Sequence, residues 1–446
     1  MPSKPQGRNH RFQSRLDRAT PGEFSVVARA SALIGIALFL AAPAQADWPN
    51  WRGPNGNGSV TTGDYPTSWI DENVAWKYQL PGKGSSTPIV LGDRIYLTTP
   101  ADGQDAVLAL NQQGERIWQT ALGPESAARH RLGSSCNASP TTDGDGIYVY
   151  FRSSRLAALN LDGSVRWTKD LAAEYGQEQL YWDQGTSPVV TKDHVILARL
   201  HAGESWIAGF DKKSGELRWM QQRNYKTPPE NDNGYTTPVF FEHQGKSAFL
   251  IWGADHLTAH AAEDGALLWT CGGFNPDGTG LWPAIASPVI AGGLAIVPAG
   301  RDDRQGQSRM HAVRLDGEGD VTDTHRVWQR DDVGVFVCSP IEYEGRVYLL
   351  RPKGEVVCLH PATGETLWAD ALPRSRGSYY ASPIIANGVL YAAREDGMVF
   401  AARVKDKFEV VGENPMEEQI IATPVADQGR LLLRGEHHLF CIQSAR

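Results

Sequence analysis

Short hydrophobic segments recur along this chain at a regular interval, and each recurrence begins with a serine or threonine followed by proline. Successive prolines are 41 to 52 residues apart. Each pair precedes a run rich in Val, Ile, Tyr and Leu that ends at a glycine-bearing turn, which is the pattern of a β-strand. Periods of this length indicate a repeat architecture. The prolines are Pro88, Pro140, Pro188, Pro238, Pro288, Pro340, Pro383 and Pro424.

The sixth repeat shows the internal plan most clearly. It reads SPIEYE, GRVYLLRP, GEVVCLHPATG and ETLWADAL, which are four strand-like segments separated by turns. Four strands in each repeat predict the blade of a β-propeller. No segment carries the 3.6-residue periodicity of an amphipathic helix over three or more turns, so a helical solenoid is disfavoured.

The eighth repeat contains only three such strands, and a candidate for the fourth lies near the other end of the sequence. VAWKYQL, residues 74–80, precedes the first Ser/Thr-Pro pair and has the character of a repeat's last strand. Pairing this strand with the eighth repeat would close the ring and remove open sheet edges. The predicted fold is therefore all-β, an eight-bladed β-propeller of four-stranded antiparallel blades closed by the N-terminal strand.

A tryptophan ends most repeats, after a turn that contains glycine. GFDKKSGELRW (209–219) and CLHPATGETLW (358–368) resemble the tryptophan-docking repeat of quinoprotein-type propellers. The resemblance implies that each indole packs against the neighbouring blade, a structural role that suits a large ring with one N–H donor. The seventh repeat has KDKFEVV at this place. The residues expected to dock in this way are Trp76, Trp118, Trp167, Trp219, Trp269, Trp328 and Trp368.

The opening of the mature chain supports the same resemblance. DWPNWRGPNGNG, residues 47–58, resembles the start of exported propellers of planctomycete-type bacteria that are named for binding pyrroloquinoline quinone (PQQ). The chain also resembles the quinoprotein alcohol dehydrogenase-like superfamily and the BamB-like propellers of outer-membrane protein assembly. A shared fold hosts many functions, so the family names alone assign none.

Resemblance to the PQQ dehydrogenases would imply an adjacent cysteine pair over the quinone, Glu and Asn ligands for calcium, and an Asp base. No two cysteines of this chain are adjacent, and no Glu, Asn and Asp set can be placed. We therefore assign no catalytic residue, no metal site and no cofactor, and leave PQQ with calcium open. The sequence leaves any disulfide pairing undetermined as well. The cysteines are Cys136, Cys271, Cys338, Cys358 and Cys441.

The first 46 residues have the pattern of an export signal. Arg29 precedes an apolar run over 30–42, and Ala44 and Ala46 fit a small-x-small cleavage site. The run is shorter than the roughly 20 residues that span a bilayer, and no lipobox cysteine follows it. We expect a periplasmic or secreted protein with no transmembrane segment after cleavage. A Trp-, Gly- and Pro-rich segment (47–73) is expected to pack along the ring, and 74–446 to form the propeller.

The charge of the chain limits its partners. The formal net charge is −8, and the 37 basic and 49 acidic residues that follow the signal give −12. Such a surface repels phosphate backbones, so nucleic acid is not expected as a partner. We expect a monomer that binds an envelope protein or peptide.

A ligand or partner site is expected where the loops between blades approach the central axis. Residues just before the Ser/Thr-Pro pairs would surround this funnel, and aromatic and Arg side chains there could hold a planar or anionic ligand. The pairs Asp143 with Asp145 and Asp302 with Asp303 are interpreted as turn residues rather than calcium ligands. The funnel candidates are Asn137, Asp183, Asn233, Trp282, Arg376 and Tyr379.

Two functions follow from this sequence. The first is a non-catalytic, exported propeller that acts as a binding or scaffolding protein in the cell envelope. The alternative is a PQQ-dependent sugar or alcohol dehydrogenase that uses the funnel. No phosphate-binding loop, nucleophile elbow or glycine-rich dinucleotide fingerprint occurs in a strand-to-helix context, so kinase, hydrolase and nicotinamide-dependent functions have no support. No metal-ligand spacing such as H-E-x-x-H occurs either.

Overall fold

The computed structural model describes residues 47–405 and 407–444, so the expected export signal lies outside the described residues. The described chain forms eight β-sheets, each built on four antiparallel strands, which follow one another in the chain in every sheet except the one that includes Val74–Gln79. The predicted all-β, eight-bladed propeller is confirmed. In each blade the first strand is nearest the axis and the fourth is at the rim.

The strands of the first four blades lie next to one another in sequence order. Blade 1 contains Ile89–Leu91, Arg94–Ala101, Gln104–Asn111 and Arg116–Pro124. Blade 2 contains Thr141–Thr142, Gly146–Tyr150, Arg155–Asn160 and Val165–Asp170. Blade 3 contains Val189–Val190, His194–Arg199, Trp206–Asp211 and Leu217–Gln222. Blade 4 contains Val239–His243, Lys246–Gly253, His256–Ala261 and Leu267–Cys271, with Gly319–Asp320 added in parallel at its rim.

The remaining blades continue the series and close it. Blade 5 contains Val289–Ala291, Leu294–Gly300, Ser308–Arg314 and Arg326–Arg330. Blade 6 contains Ile341–Tyr343, Arg346–Leu350, Glu355–Leu359 and Thr366–Ala371. Blade 7 contains Ile384–Ala386, Val389–Ala393, Met398–Arg403 and Glu409–Pro415, with Ser59–Val60 added in parallel at its inner edge. Blade 8 contains Val425–Asp427, Arg430–Arg434, His438–Gln443 and, as its fourth strand, Val74–Gln79.

Helix is almost absent from the described residues. One α-helix spans Leu171–Tyr175 and one 3₁₀ turn spans Asp71–Asn73. No helix in the described ranges is long and apolar enough to cross a membrane.

The hydrophobic core lies between neighbouring blades. The second and third strands are buried on both faces, as in Gly146–Tyr150, whereas rim strands such as Thr366–Ala371 alternate or face solvent. One cluster, for example, joins Tyr96 and Val107 of blade 1 to Val149 and Ala157 of blade 2. Packing against both neighbours explains why these strands read as continuous apolar runs rather than as alternating ones.

The Ser/Thr-Pro pairs form a ring of hydrogen bonds around the axis, which explains why they mark every repeat. In blades 2 to 7, the hydroxyl of this Ser or Thr accepts a hydrogen bond from the backbone N–H of the equivalent residue in the preceding blade. Six such bonds of 2.9 to 3.1 Å link blades 1 through 7. The donor and acceptor pairs are Thr87–Ser139, Ser139–Ser187, Ser187–Thr237, Thr237–Ser287, Ser287–Ser339 and Ser339–Ser382.

The tryptophans at the rim link the same blades at a larger radius. The Trp328 indole donates to the Pro361 carbonyl of the next blade at 2.7 Å, and four other rim tryptophans make the corresponding bond. Each of these rings except that of Trp269 lies directly over a turn glycine of the next blade. A Cβ at Gly364 would lie 2.7 Å from the Trp328 ring. Where blade 7 lacks the glycine turn, Trp368 packs against Phe408 at 5.8 Å between ring centroids.

The segment before the closing strand enters the central channel instead of only following the ring. Trp48 pairs with Val90 of blade 1, and the N–H of Ile385 in blade 7 donates to the Gly58 carbonyl. Between them, the Arg52 guanidinium is buried and donates to the carbonyls of Pro340 (2.9 Å) and Pro383 (3.2 Å). Burial lowers the pKa of Arg52 to about 10. We call residues 48–60 the channel segment.

Residues after the channel segment contact blade 7. The Tyr391 hydroxyl donates to the Pro66 carbonyl, and the backbone N–H of Trp69 donates to the Asn414 side chain of blade 7. This path leads to the strand that completes blade 8, where Trp76 pairs with Cys441.

The glycine beneath each rim tryptophan gives a test of how the blades are joined. We expect Gly364→Ala to lower the free energy of unfolding by about 1 to 3 kcal/mol more than Gly345→Ala, because overpacking against Trp328 adds to the backbone strain. Both glycines have positive φ, 70° and 73°, but a Cβ at Gly345 meets no atom within 4 Å. Chemical denaturation of the two variants measures the difference, and equal losses would contradict indole docking on the turn.

Candidate functional site

Two of the funnel candidates, Asp183 and Asn137, hold neighbouring inter-blade loops together. The Asp183 carboxylate is buried, accepts from Arg152 Nε at 2.6 Å, and accepts from the backbone N–H groups of Arg129 and His130. The Asn137 side chain accepts from the Ser134 N–H and donates to the Gln184 carbonyl at 3.0 Å. Both side chains therefore use their hydrogen-bonding capacity within the protein.

Asn233 and Trp282 are also buried in contacts between loops. The Asn233 side chain accepts from the Ala202 N–H at 3.2 Å. The Trp282 indole donates to the Gln307 side chain at 2.9 Å, and the Arg309 guanidinium lies 5.7 Å from its ring. These two residues fix the loops between blades 3, 4 and 5.

The last two candidates differ in exposure. Tyr379 is buried, and burial raises the pKa of its hydroxyl, which has no hydrogen-bond partner among the described residues. Arg376 is exposed, and its backbone carbonyl accepts from Lys353 Nζ at 3.4 Å. The structure thus presents Arg376 to solvent and places the other five candidates inside the loop framework or partly within it.

An aromatic pair next to Asp183 is the feature of this face that the sequence reasoning missed. Tyr181 is 59% exposed and Trp182 is 40% exposed, and their ring centroids are 4.9 Å apart. The His130 ring packs edge-on against the Trp182 ring, with 5.0 Å between centroids. The backbone N–H of Trp182 donates to the Tyr235 hydroxyl at 2.9 Å. The signal was present in YWDQGTSP, where two aromatic residues precede an aspartate in a loop between blades. We call Tyr181 and Trp182 the aromatic pair.

The aromatic pair is held rigidly by the residues around it. Asp183 follows Trp182 directly and is anchored by an ion pair with Arg152. A side chain whose backbone is fixed in this way loses little conformational entropy when a partner covers it. Exposed aromatic rings on a fixed loop are the usual energetic centres of protein interfaces.

The acidic pairs do not assemble a calcium site. The Asp143 carboxylate accepts from the backbone of its own turn and from Lys212 Nζ at 2.6 Å. Asp303 pairs with Arg301 at 2.6 Å, whereas the Asp302 side chain points into the protein and is fully enclosed. Calcium takes six to eight oxygen ligands. Within 47–405 and 407–444, no group of three or more His, Cys, Asp or Glu side chains is arranged to hold a metal ion.

No cysteine pair of the kind found over the quinone in PQQ dehydrogenases occurs among the described residues. The five cysteines are separate, buried and free of disulfide bonds. Part of the central channel is filled by the channel segment, with the Arg52 guanidinium held by backbone carbonyls. We derive no catalytic step through a bound quinone.

Asp302 is a buried carboxyl near this face whose pKa is raised. Neither of its oxygens has a hydrogen-bond partner in the described part of the chain, and Arg351 Nε lies 3.8 Å away. Burial raises the pKa of Asp302 to about 7, against the opposing effect of Arg351. The Arg301 partner lowers the pKa of the adjacent Asp303.

This contrast predicts a pH-dependent difference between two adjacent substitutions. The folded state binds the Asp302 proton more tightly than the unfolded state, so raising the pH through 7 removes stability that is present at pH 5. We expect Asp302→Asn to gain ~2 kcal/mol relative to wild type between pH 5 and pH 8. Asp303→Asn should show no such trend, because Asp303 is ionised in both states over this range. Urea unfolding at both pH values measures this, and a pH-independent effect of Asp302→Asn would contradict it.

Comparison with known proteins agrees with this architecture. A family model described as outer membrane protein assembly factor BamB matches residues 68–204 and 203–444. BamB of Yersinia pestis is 23% identical over 353 residues, which cover 75% of this chain and 78% of that protein. Methanol dehydrogenase [cytochrome c] subunit 1 of Paracoccus denitrificans is 26% identical over 248 residues, but these cover 49% of this chain and 38% of that protein.

A solved structure of a europium-containing methanol dehydrogenase shares the fold. It superposes with a TM-score of 0.68 at 10% identity, covering 88% of this chain and 90% of that chain. At this level of identity, the likeness shows a shared propeller fold and does not extend to function. The family match extends over both halves of the propeller, and the chain belongs to the family described as outer membrane protein assembly factor BamB, within the PQQ-like propellers.

Proposed function

We propose that this chain is an exported, non-catalytic propeller that binds a protein or peptide of the cell envelope through its inter-blade loops. The aromatic pair carries this proposal, because two adjacent exposed rings are fixed by buried contacts on a loop that no described residue covers. The name of the matching family, an assembly factor of the outer membrane, is consistent with a task performed by binding.

The loops next to the aromatic pair support a continuous docking surface. Leu281, in the loop between blades 4 and 5, is 37% exposed, and its N–H donates to the Pro229 carbonyl of the preceding loop. Arg129 lies beside the pair, where its guanidinium donates to the Leu180 carbonyl at 2.7 Å. Apolar groups beside an Arg match the composition of protein interfaces, which are enriched in aromatic residues and Arg.

Quinone-dependent oxidation of a sugar or alcohol is the second candidate, and the similarity to methanol dehydrogenases favours it. The lack of an adjacent cysteine pair weighs against it. Reduction of a redox dye by the purified chain with PQQ, calcium and a panel of sugars and alcohols would decide in favour of this candidate.

The binding proposal predicts a selective loss of partners. We expect Tyr181→Ser with Trp182→Ser to reduce recovery of the partner from solubilised envelopes by about tenfold or more, since interface aromatic residues commonly contribute 2 kcal/mol or more. Leu267→Ser is the matched control, because Leu267 is 53% exposed on the rim strand of blade 4. Quantitative co-isolation with the tagged wild type and both variants measures this.

The same experiment can reject the proposal. Recovery of the same proteins in equal amounts with wild type and the aromatic variant would show that the aromatic pair is not the binding site. Equal losses with both variants would show that any exposed apolar group has the same effect, and this would also contradict a site at the pair.

A further inference from the structure

The channel segment covers the inner edges of only some blades. In an antiparallel sheet, residues alternate between facing the neighbouring strand and facing the free edge. Val90, Thr142, Glu342 and Ile385 occupy the same position in blades 1, 2, 6 and 7, and each donates its N–H toward the axis, to the carbonyls of Trp48, Pro49, Asn57 and Gly58. The chain's own backbone thus pairs with these four edges.

The equivalent edges of blades 3 and 4 carry the same groups. In blade 3, Thr191 bonds to His194 across the hairpin, so the N–H and C=O of Val190 face the axis. In blade 4, His243 and Lys246 close the hairpin and the alternation turns Phe240 toward the axis in the same way. In the ranges 47–405 and 407–444, neither Val190 nor Phe240 has a hydrogen-bond partner for its axis-facing N–H.

A cavity of about 250 Å³ lies against these two edges. Its walls include Pro188–Val190 of blade 3, Pro238–Phe240 of blade 4 and Asn50–Arg52 of the channel segment. Arg52 is the single charged residue in this lining, and the carbonyls of blades 6 and 7 hold its guanidinium. The other residues that line the cavity are apolar or uncharged. The inner edges of blades 3 and 4 present backbone N–H and C=O groups to it.

We propose that this half of the channel binds a short extended peptide that pairs with the inner edges of blades 3 and 4. The channel segment shows the mode, because backbone carbonyls of Asn57 and Gly58 pair with successive blades on the opposite side. Main-chain pairing at a free sheet edge is an established form of peptide recognition. This site is separate from the aromatic pair, so either proposal can fail without the other.

Small side chains should be preferred in this peptide. The channel segment places Gly58, Ser59 and Val60 against blades 6 and 7, with Ser59 paired to Ile385 and Val60 paired to Ala386. The acetylated and amidated tetrapeptide Asn-Gly-Ser-Val, which repeats residues 57–60, is therefore a suitable probe. The same peptide carrying an N-methyl group on valine lacks one backbone donor and is the matched control.

The test is a titration followed through backbone amide NMR signals of the intact mature chain. We expect saturable shifts at the amides of Val190 and Phe240, and about tenfold weaker binding of the N-methylated peptide, which corresponds to one lost hydrogen bond. Asn55→Trp should abolish the shifts by filling the cavity, because Asn55 lines it, is exposed and makes no side-chain hydrogen bond with the described residues. Gln113→Trp, at an exposed turn of blade 1, should bind as wild type does.

Three results would overturn the proposal. The first is an absence of shifts at Val190 and Phe240 up to about 10 mM peptide, a concentration that would detect even millimolar affinity. The second is equal affinity for the methylated and unmethylated peptides, since this would exclude pairing through the backbone donor. The third is unchanged binding by Asn55→Trp, which would place the peptide elsewhere.

Discussion

The hydroxyl-to-amide ring at the axis is the interaction on which the rest of this structure depends. Just before the inner strand, the ring residue of each of blades 2 to 6 both donates its N–H to the next blade and accepts a bond from the preceding one. Loss of one hydroxyl would leave a buried amide without a partner, which costs about 1 to 3 kcal/mol. Because the following residue is proline, the ring residue is also held in an extended conformation. The ring thus joins neighbouring blades near the axis, and the rim tryptophans join them at a larger radius.

At blade 8 the ring gives way to the channel segment. The Thr423 hydroxyl accepts from the Trp51 indole at 3.1 Å instead of from a neighbouring ring residue. The same segment places Arg52 among the carbonyls of blades 6 and 7, and the chain that follows it supplies the closing strand of blade 8, Val74–Gln79. Closure of the ring and partial filling of its channel are therefore made by one continuous piece of chain, and this leaves the edges of blades 3 and 4 facing a cavity.

The repeat period made the architecture predictable, because the Ser/Thr-Pro pair recurs in every blade and the rim tryptophan in every blade except blade 7. The closing strand could be found for the same reason, since Trp76 repeats the rim pattern. The candidate site was less predictable. Sequence order places residues such as Asp183 and Asn233 in the inter-blade loops, but it does not show that their side chains bond to neighbouring loops. Likewise, the path of Trp48 to Val60 through the channel depends on contacts with residues about 290 to 330 positions away, such as those of Arg52 with Pro340 and Pro383.

Hydrogen exchange at equivalent inner-strand amides is the most direct test of this account. The amides of Val90, Thr142, Glu342 and Ile385 are bonded to the channel segment, whereas those of Val190 and Phe240 occupy the same position without a protein partner in the described chain. The account predicts that the first group exchanges at least about a hundredfold more slowly than the second, as expected when exchange requires opening of the bonded segment. Equal exchange rates in the two groups would contradict the assignment of the channel segment as the element that covers the inner edges of blades 1, 2, 6 and 7.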